Sequence, residues 1–333
     1  MNAAAAPATP PGLGMVIIGR NEGERLRRCL ESSQAVGERR VYVDSGSTDG
    51  SVQLAIEAGA QVVRLDMSQP FTAARARNAG LRELRRQCPG VTLVQFIDGD
   101  CELLPQWLGS AERFLTQHPD IVAVAGRLRE RFPDKSVFNR LCDIEWNTPV
   151  GEARSFGGIV MVRVEAMDGA GGFREDLIAG EEPELCVRLR ARGGRLWRLD
   201  EDMAWHDANM LRLSQWWRRT LRSGHAFAEG ASLHGQPPER HFAGETRRAL
   251  LWGAALPLAI LALACVTPFA WLLLLAYPLQ WLRIGLRLAR SHAPIPWLQG
   301  GFLLLGRFPE ALGALKFYRG RLVGRRSGLI EYK

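Results

Sequence analysis

VTLVQFIDGD, residues 91–100, is the stretch that decides the fold. From Val91 to Ile97 the residues are mostly β-branched, aliphatic or aromatic, the composition of a buried strand. The run ends in Asp98-Gly99-Asp100, two carboxylates straddling a glycine. Reading back towards the N-terminus, Gln61 to Leu65, Arg40 to Asp44 (RVYVD) and Gly14 to Gly19 (GMVIIG) have the same strand character. Between them lie helical segments. Glu24 to Ala35 places Leu26, Cys29, Leu30 and Ser33 at helical spacing, Thr48 to Ala58 has Ser47 or Thr48 as candidate N-cap, and Thr72 to Gln87 is rich in Ala and Arg. Strands alternating with helices at this spacing predict an α/β, Rossmann-like domain whose parallel sheet is joined by crossover helices. Such sheets bind ligands beyond the carboxyl ends of their strands. The polar clusters Arg20-Asn21-Glu22, Asp44-Ser45-Gly46-Ser47 and Asp98-Gly99-Asp100 fall at those ends.

Beyond residue 100 the pattern is less regular. Strands are expected near 121–127 and 156–163, and helices over Glu182 to Arg192, closed by Gly193-Gly194, and over Leu213 to Glu229. Gly235 to Glu239 (GQPPE) reads as a linker. Met1 to Gly14, rich in Ala and Pro, lacks the basic start and apolar core of a signal peptide, so it is expected to be a disordered leader to a cytoplasmic domain. The expected organisation is a leader over 1–13, a catalytic domain over 14–235 and a C-terminal membrane-associated region over 236–333.

The C-terminal region has its own composition. Ala249 to Leu282 is 34 residues without a charge. As one helix it would measure about 51 Å at ~1.5 Å per residue, against a hydrocarbon core of ~30 Å. Pro257, Pro268 and Pro278 interrupt it, and Arg247, Arg248, Arg283, Arg287 and Arg290 flank it. Basic flanks on both sides predict a hairpin or re-entrant pair turning near Thr267-Pro268 with both ends in the cytoplasm; the rival is a buried helical pair of a soluble protein. Trp297 to Tyr318, which contains Arg307 and Glu310, reads as an interfacial helix. The formal net charge of +8 is concentrated here, with ten Lys/Arg against two Glu from Arg283 onwards. Because these cations lie beside apolar residues and Trp rather than on a nucleic-acid module, they predict an anionic lipid surface and no nucleic-acid partner. The six cysteines form no C-x-x-C pair and read as reduced thiols.

Asp98 and Asp100 supply oxygen donors of the kind that hold Mg²⁺ or Mn²⁺. Asp44, at a strand end, could accept a hydrogen bond from a base or ribose; it could equally satisfy the turn's own amides. A nicotinamide-dependent oxidoreductase needs a G-x-G-x-x-G after the first strand, and Gly19-Arg20-Asn21-Glu22-Gly23 does not provide it.

Five segments in order resemble the family 2 glycosyltransferases, inverting enzymes of the GT-A fold, here of membrane-associated bacterial type. They are VIIGRNEGERLRRCLES, VYVDSGSTDGS, ARARNAGL, FIDGDCELLPQWL and GGFREDLIAGEEPELCVRLRARG, within about Met15 to Glu229. The resemblance implies a nucleotide-sugar donor pocket lined by Asn21, Glu22 and Asp44, with Asp98 at the ribose or metal, Asp100 on the metal and Arg77 near the donor. It implies Glu182 as catalytic base, where the family commonly has Asp, with Glu181 beside it, and His206 as a further metal ligand. Gln215-Trp216-Trp217-Arg218-Arg219 is similar to a degenerate Q-x-x-R-W motif, which would put Arg218 on the diphosphate; an amphipathic helix laid against the membrane explains the same residues. The function so implied is transfer of a sugar, with Mg²⁺ or Mn²⁺, to a lipid-linked or glycan acceptor in cell-envelope or exopolysaccharide synthesis, at the cytoplasmic face of the inner membrane. The alternative is a non-catalytic membrane protein that keeps the fold.

Overall fold

The structure, a computed structural model, describes residues 12–324. Most of the expected leader and the basic terminus after Gly324 lie outside the described residues. The chain forms two compact units, dividing between Leu211 and Arg212. The division falls earlier than the GQPPE segment because the helix expected over Leu213 to Glu229 is bundled with the C-terminal helices.

The first unit is built on a nine-stranded sheet. Its strands are β1 (Leu13–Gly19), β2 (Arg40–Asp44), β3 (Gln61–Arg64), β4 (Leu93–Asp98), β5 (Cys101–Leu103), β6 (Ile121–Glu130), β7 (Gly151–Ala153), β8 (Val160–Arg163) and β9 (Arg195–His206). The helices are α1 (Glu24–Ser32), α2 (Ser51–Glu57), α3 (Ala73–Gln87), α4 (Trp107–Gln117), α5 (Val137–Trp146), α6 (Val164–Ala170) and α7 (Glu181–Ala191). Strand order is β3-β2-β1-β4-β8-β6-β9-β5, with β7 on β9. The first four are parallel, as the alternation of strands and helices predicts. β8 then enters antiparallel to β4, making the sheet mixed. The inner strands β1 and β4 are buried on both faces, which is why they read as continuous apolar runs. One core cluster packs Met15, Ile17, Leu26, Tyr42, Ile97 and Trp107 on one face. The other packs Val16, Val43, Leu84, Val94, Phe96 and Leu185 on the opposite face. α3 approaches the sheet closely because Gly80 has no side chain: a Cβ there would overlap Val16 and lie 2.9 Å from Val43.

Helix starts follow local chemistry. Thr72 caps α3, its hydroxyl accepting from Arg75 N at 3.1 Å. The start of α2 falls later than expected, at Ser51 rather than Thr48. Gly50 is the N-cap, Asp49 just before it accepts from Ser51 N at 2.9 Å, and Ser47 and Thr48 are engaged by Asn21.

The second unit is helical: α8 (Leu213–His234), two long apolar helices (Ala243–Ala264 and Pro268–Arg290), then Pro296–Leu305 and Arg307–Leu322. The segment expected as one interfacial helix is thus two. α8 and Arg307–Leu322 cross at glycines: a Cβ on Gly224 would overlap the Glu310 carbonyl, and one on Gly313 the Leu221 carbonyl. The long helices are each long and apolar enough to cross a membrane, and most of their surface is unburied.

Candidate active site

The expected donor loops are stitched together. Asn21 adopts a left-handed conformation, φ 55°, from which its N–H donates to Ser47 Oγ at 2.9 Å and its Oδ1 accepts from Thr48 N at 2.7 Å. Asp44 Oδ2 accepts from the amides of Gly46 and Ser47 at 3.1 and 3.0 Å, and Tyr42 OH donates to Asp44 Oδ1 at 3.3 Å. Asp44 is therefore engaged with its own turn, the local reading of its position. Glu22 pairs with Arg25 at 2.7 Å and packs beneath Gly99.

At the end of β4 the structure gathers four residues drawn from three segments. Arg77, on α3 and only 3% exposed, reaches Asp98 Oδ1 at 3.0 Å, Glu181 Oε1 at 3.0 Å and Glu182 Oε1 at 2.9 Å. It also lies over the Phe173 ring, 5.6 Å from its centre. Arg77, which the resemblance puts near the donor, is a buried cation holding three carboxylates. Burial alone would lower the pKa of this guanidinium; Glu182, Asp98 and Glu181 outweigh burial and raise it. Glu181 and Glu182 open α7, where carboxylates complement the helix dipole. Burial and the adjacent Glu181 carboxylate push Glu182 up to about 7, against the downward pull of Arg77. Glu182 is therefore a carboxylate poised to take a proton near neutral pH.

Beside this cluster, β5 pairs antiparallel with β9 so that Cys101 stands opposite His206. This brings Asp100 Oδ2 to 3.1 Å from His206 Nε2. Asp100, Cys101 and His206 offer donor atoms within 4.8 Å of one another. Burial pushes the Cys101 thiol well above its usual range in the metal-free site, and the carboxylate and the imidazole are the donors that need no such shift. That set fits a divalent cation. Arg218 sits on α8 in the second unit, its Nε donating to Ser214 O at 3.3 Å.

Sequence reading missed three contributors. Gly158 faces the carboxylate cluster: a Cβ there would overlap Arg77 Nη2 and lie 3.1 Å from Asp98 Oδ2 and 3.2 Å from Glu182 Oε1. Its one signal was the Gly157-Gly158 pair ahead of a strand. Trp146 stacks on His206, centroids 4.7 Å apart and planes at 27°. Buried Glu130 fixes the segment after His206, accepting from Ala208 N, Phe132 N and Asn139 Nδ2, each at 3.0 Å. Asn139 Oδ1 in turn accepts from Met210 N at 2.9 Å.

A mixed sheet with polar loops at its parallel end, an Asp-x-Asp turn and a divalent-cation donor set define a nucleotide-sugar-binding domain of the GT-A glycosyltransferase class. Residues 15–167 match the family Glycosyl transferase family 2, so the chain carries a family 2 glycosyltransferase domain. The glycosyltransferase AglE of Haloferax volcanii is 25% identical over 199 residues, 56% of this chain and 64% of that protein, so the match spans just under two thirds of the relative's length. A TPR repeat-containing protein of Synechococcus elongatus is 36% identical over 63 residues, 19% of this chain and 16% of its own. Among solved structures, the mannosyltransferase PcManGT of Pyrobaculum calidifontis, in complex with GDP-Man and Mn²⁺, has a TM-score of 0.60 at 19% identity. That match covers 91% of this chain and 87% of that one, a likeness that shows the GT-A fold.

Proposed function

We propose that the protein is a divalent-metal-dependent inverting glycosyltransferase that moves a sugar from a nucleoside diphosphate to a hydroxyl of a lipid-linked or glycan acceptor. The observation that carries this reading is the position of Glu182: pinned by Arg77, which also holds Asp98, with its proton affinity near neutrality. In the reaction the acceptor oxygen attacks the anomeric carbon, and its proton passes to the Glu182 carboxylate. The new C–O bond forms as the bond from that carbon to the diphosphate breaks, and the nucleoside diphosphate leaves with the electron pair. Asp100 and His206 would hold the cation, whose chemistry is to neutralise charge developing on the leaving diphosphate. An imidazole beside oxygen donors favours Mn²⁺ over Mg²⁺. Asn21, Glu22 and Asp44 line the donor side, and Arg77 holds Glu182, whose proton affinity the neighbouring Glu181 carboxylate raises. The apolar helices and their arginine flanks support work at the cytoplasmic face of the inner membrane, in cell-envelope or exopolysaccharide synthesis.

The test is release of nucleoside diphosphate from UDP-, GDP- and dTDP-sugars by the full chain in detergent, with and without Mn²⁺ and lipid acceptors. GDP-mannose heads the panel because a protein of similar fold holds it. Metal-dependent release from one donor, abolished by Glu182→Gln, is the expected result. Silence from every donor with lipid acceptors present would favour the non-catalytic alternative.

A further inference from the structure

The turn joining the two long apolar helices has the chemistry of a segment buried in lipid. It runs Cys265-Val266-Thr267-Pro268-Phe269, with Val266 84% and Phe269 75% exposed. A hairpin tip that emerges on the far side of a bilayer meets headgroups and water, and carries charged or strongly polar residues there. This tip carries none, and the charge-free stretch continues through it from Ala249 to Leu282. In hydrocarbon each backbone N–H must find a partner within the protein. Val266 N and Thr267 N both donate to Leu263 O, at 2.9 and 2.8 Å, and Ala270 N donates to Thr267 O at 3.2 Å. Phe269 N donates to Thr267 Oγ1 at 3.4 Å, and Pro268 has no N–H to satisfy. The hydroxyl oxygen of Thr267 thus accepts within the turn.

The arms tell the same story. The π-helical stretch Leu251–Ala255 disturbs the normal carbonyl ladder of the first helix. Tyr277 OH, on the second, donates to Trp252 O at 2.8 Å, satisfying a polar group on each arm. The charge-free part of the first arm, Ala249 to Ala264, is about 24 Å long at ~1.5 Å per residue. That of the second, Pro268 to Leu282, is about 26 Å, allowing its 3-10 start ~2.0 Å per residue. These charge-free parts are each shorter than a hydrocarbon core of ~30 Å, so a full crossing, for which the whole 22- and 23-residue helices are long enough, would draw their basic ends into lipid. The charged anchors are all at the open end: Arg247 and Arg248 before the first arm, Arg283, Arg287 and Arg290 after the second. Trp281 joins them there, its Nε1 donating to Trp297 O at 2.9 Å. Cations suited to anionic headgroups and an aromatic pair at one end, with an apolar tip at the other, describe an element that enters lipid from one side.

Resting on the reading of this region as membrane-associated, we propose that Cys265–Phe269 lies within the acyl-chain layer, as the tip of a hairpin that enters and leaves through the same leaflet. The occupant of its exposed apolar face is lipid hydrocarbon.

Cys265 is the one exposed cysteine among the described residues, a native reporter at the tip. The full chain would be prepared in sealed membrane vesicles of each orientation and treated with a membrane-impermeant maleimide. Cys265→Ser supplies the background, and Ser291→Cys, at the open end, the accessible control. The expected result is labelling of Ser291→Cys from the catalytic-domain side and loss of Cys265 labelling from both sides, restored by detergent. A fluorophore attached at Cys265 and reconstituted should be quenched by lipids brominated in mid-chain. Labelling from the opposite side would overturn the proposal in favour of a full span. Labelling from the catalytic-domain side would overturn it in favour of a water-exposed tip. Protection without quenching would overturn it in favour of cover by a second copy of the chain. A chain absent from the membrane fraction would overturn the membrane reading itself. None of these readouts depends on sugar transfer, which is measured separately.

Discussion

Replacing Arg77 by Met keeps the bulk of the side chain and removes the charge that three carboxylates share. Glu181 and Glu182 are largely buried and Asp98 is 37% exposed, so without Arg77 two acidic groups remain in a poorly hydrated space with no cation at 3 Å. Removing one partner of a buried pair costs about 3–5 kcal/mol. In a unit of this size 1 kcal/mol moves the melting temperature by ~2–4 °C, so the catalytic unit should melt roughly 6–20 °C lower at pH 8. The sign of the pH dependence follows from Glu182, which burial and Glu181 already raise to about 7 while Arg77 restrains it. Without Arg77 its proton affinity rises further. A carboxyl raised in the folded state favours folding at low pH, and that contribution is lost as pH rises through the folded pKa. The destabilisation of Arg77→Met should therefore shrink between pH 8 and pH 6, while Arg77→Lys, which keeps a single point charge, should fall between wild type and Met. Thermal unfolding of the full chain in detergent at the two pH values measures this. A Met variant that melts with the wild type at both would refute the claim that Arg77 is the keystone of the cluster.

Glu182→Gln should lower turnover by about 10²–10⁴, the usual contribution of a general base, with little change in donor KM. In the wild type, turnover should fall as pH drops below about 7, because the base must be ionised to act. A pH–rate profile flat down to pH 5 would remove Glu182 from that role. Asp100→Asn and His206→Ala should each weaken Mn²⁺ binding, measured by electron paramagnetic resonance, by more than the ~10–100-fold seen when an outer-shell partner is lost. Gly158→Ala should depress activity without unfolding the chain, since its Cβ would displace Arg77 from Asp98 and Glu182; normal kinetics would show that the cluster accommodates it. Gly224→Leu should cut the yield of folded protein in detergent, because a side chain there meets the Glu310 backbone rather than a movable side chain.

The parallel half of the sheet was legible because β1, β2 and β4 are buried almost along their length and read as apolar runs between helical segments, while β3, half-buried at best, showed only through its Val62-Val63 centre. β9 was harder. Five of the twelve residues of its sequence RLWRLDEDMAWH are charged, and its pairing with β6 slips register between Ala125 and Arg127 and again before Leu128. Asp98, Asp100 and Glu182 were readable because they follow apolar runs or open a helix. That Arg77 is buried was not, since nothing local distinguishes it from the other arginines of α3; its partners lie 21 and 104 residues away. Gly158 and Trp146 escaped for the same reason: their importance is a matter of what stands opposite them. The division at Leu211 escaped because a 22-residue amphipathic helix, α8, reads alike whether it covers a sheet or a bundle.

The pairing of Cys101 with His206 has a consequence for how the protein is made. The strand bearing Asp100's neighbour is laid down early, and its partner arrives only after about a hundred more residues have been synthesised. A ribosome-bound chain that has already formed β1 to β4 therefore lacks half of the cation donor set. A cation held jointly by Asp100 and His206 would bind only the finished sheet, and what binds the folded state alone shifts the folding equilibrium towards it by mass action. The divalent cation available to the cell would then bear on how much of this chain survives assembly, quite apart from how fast it works.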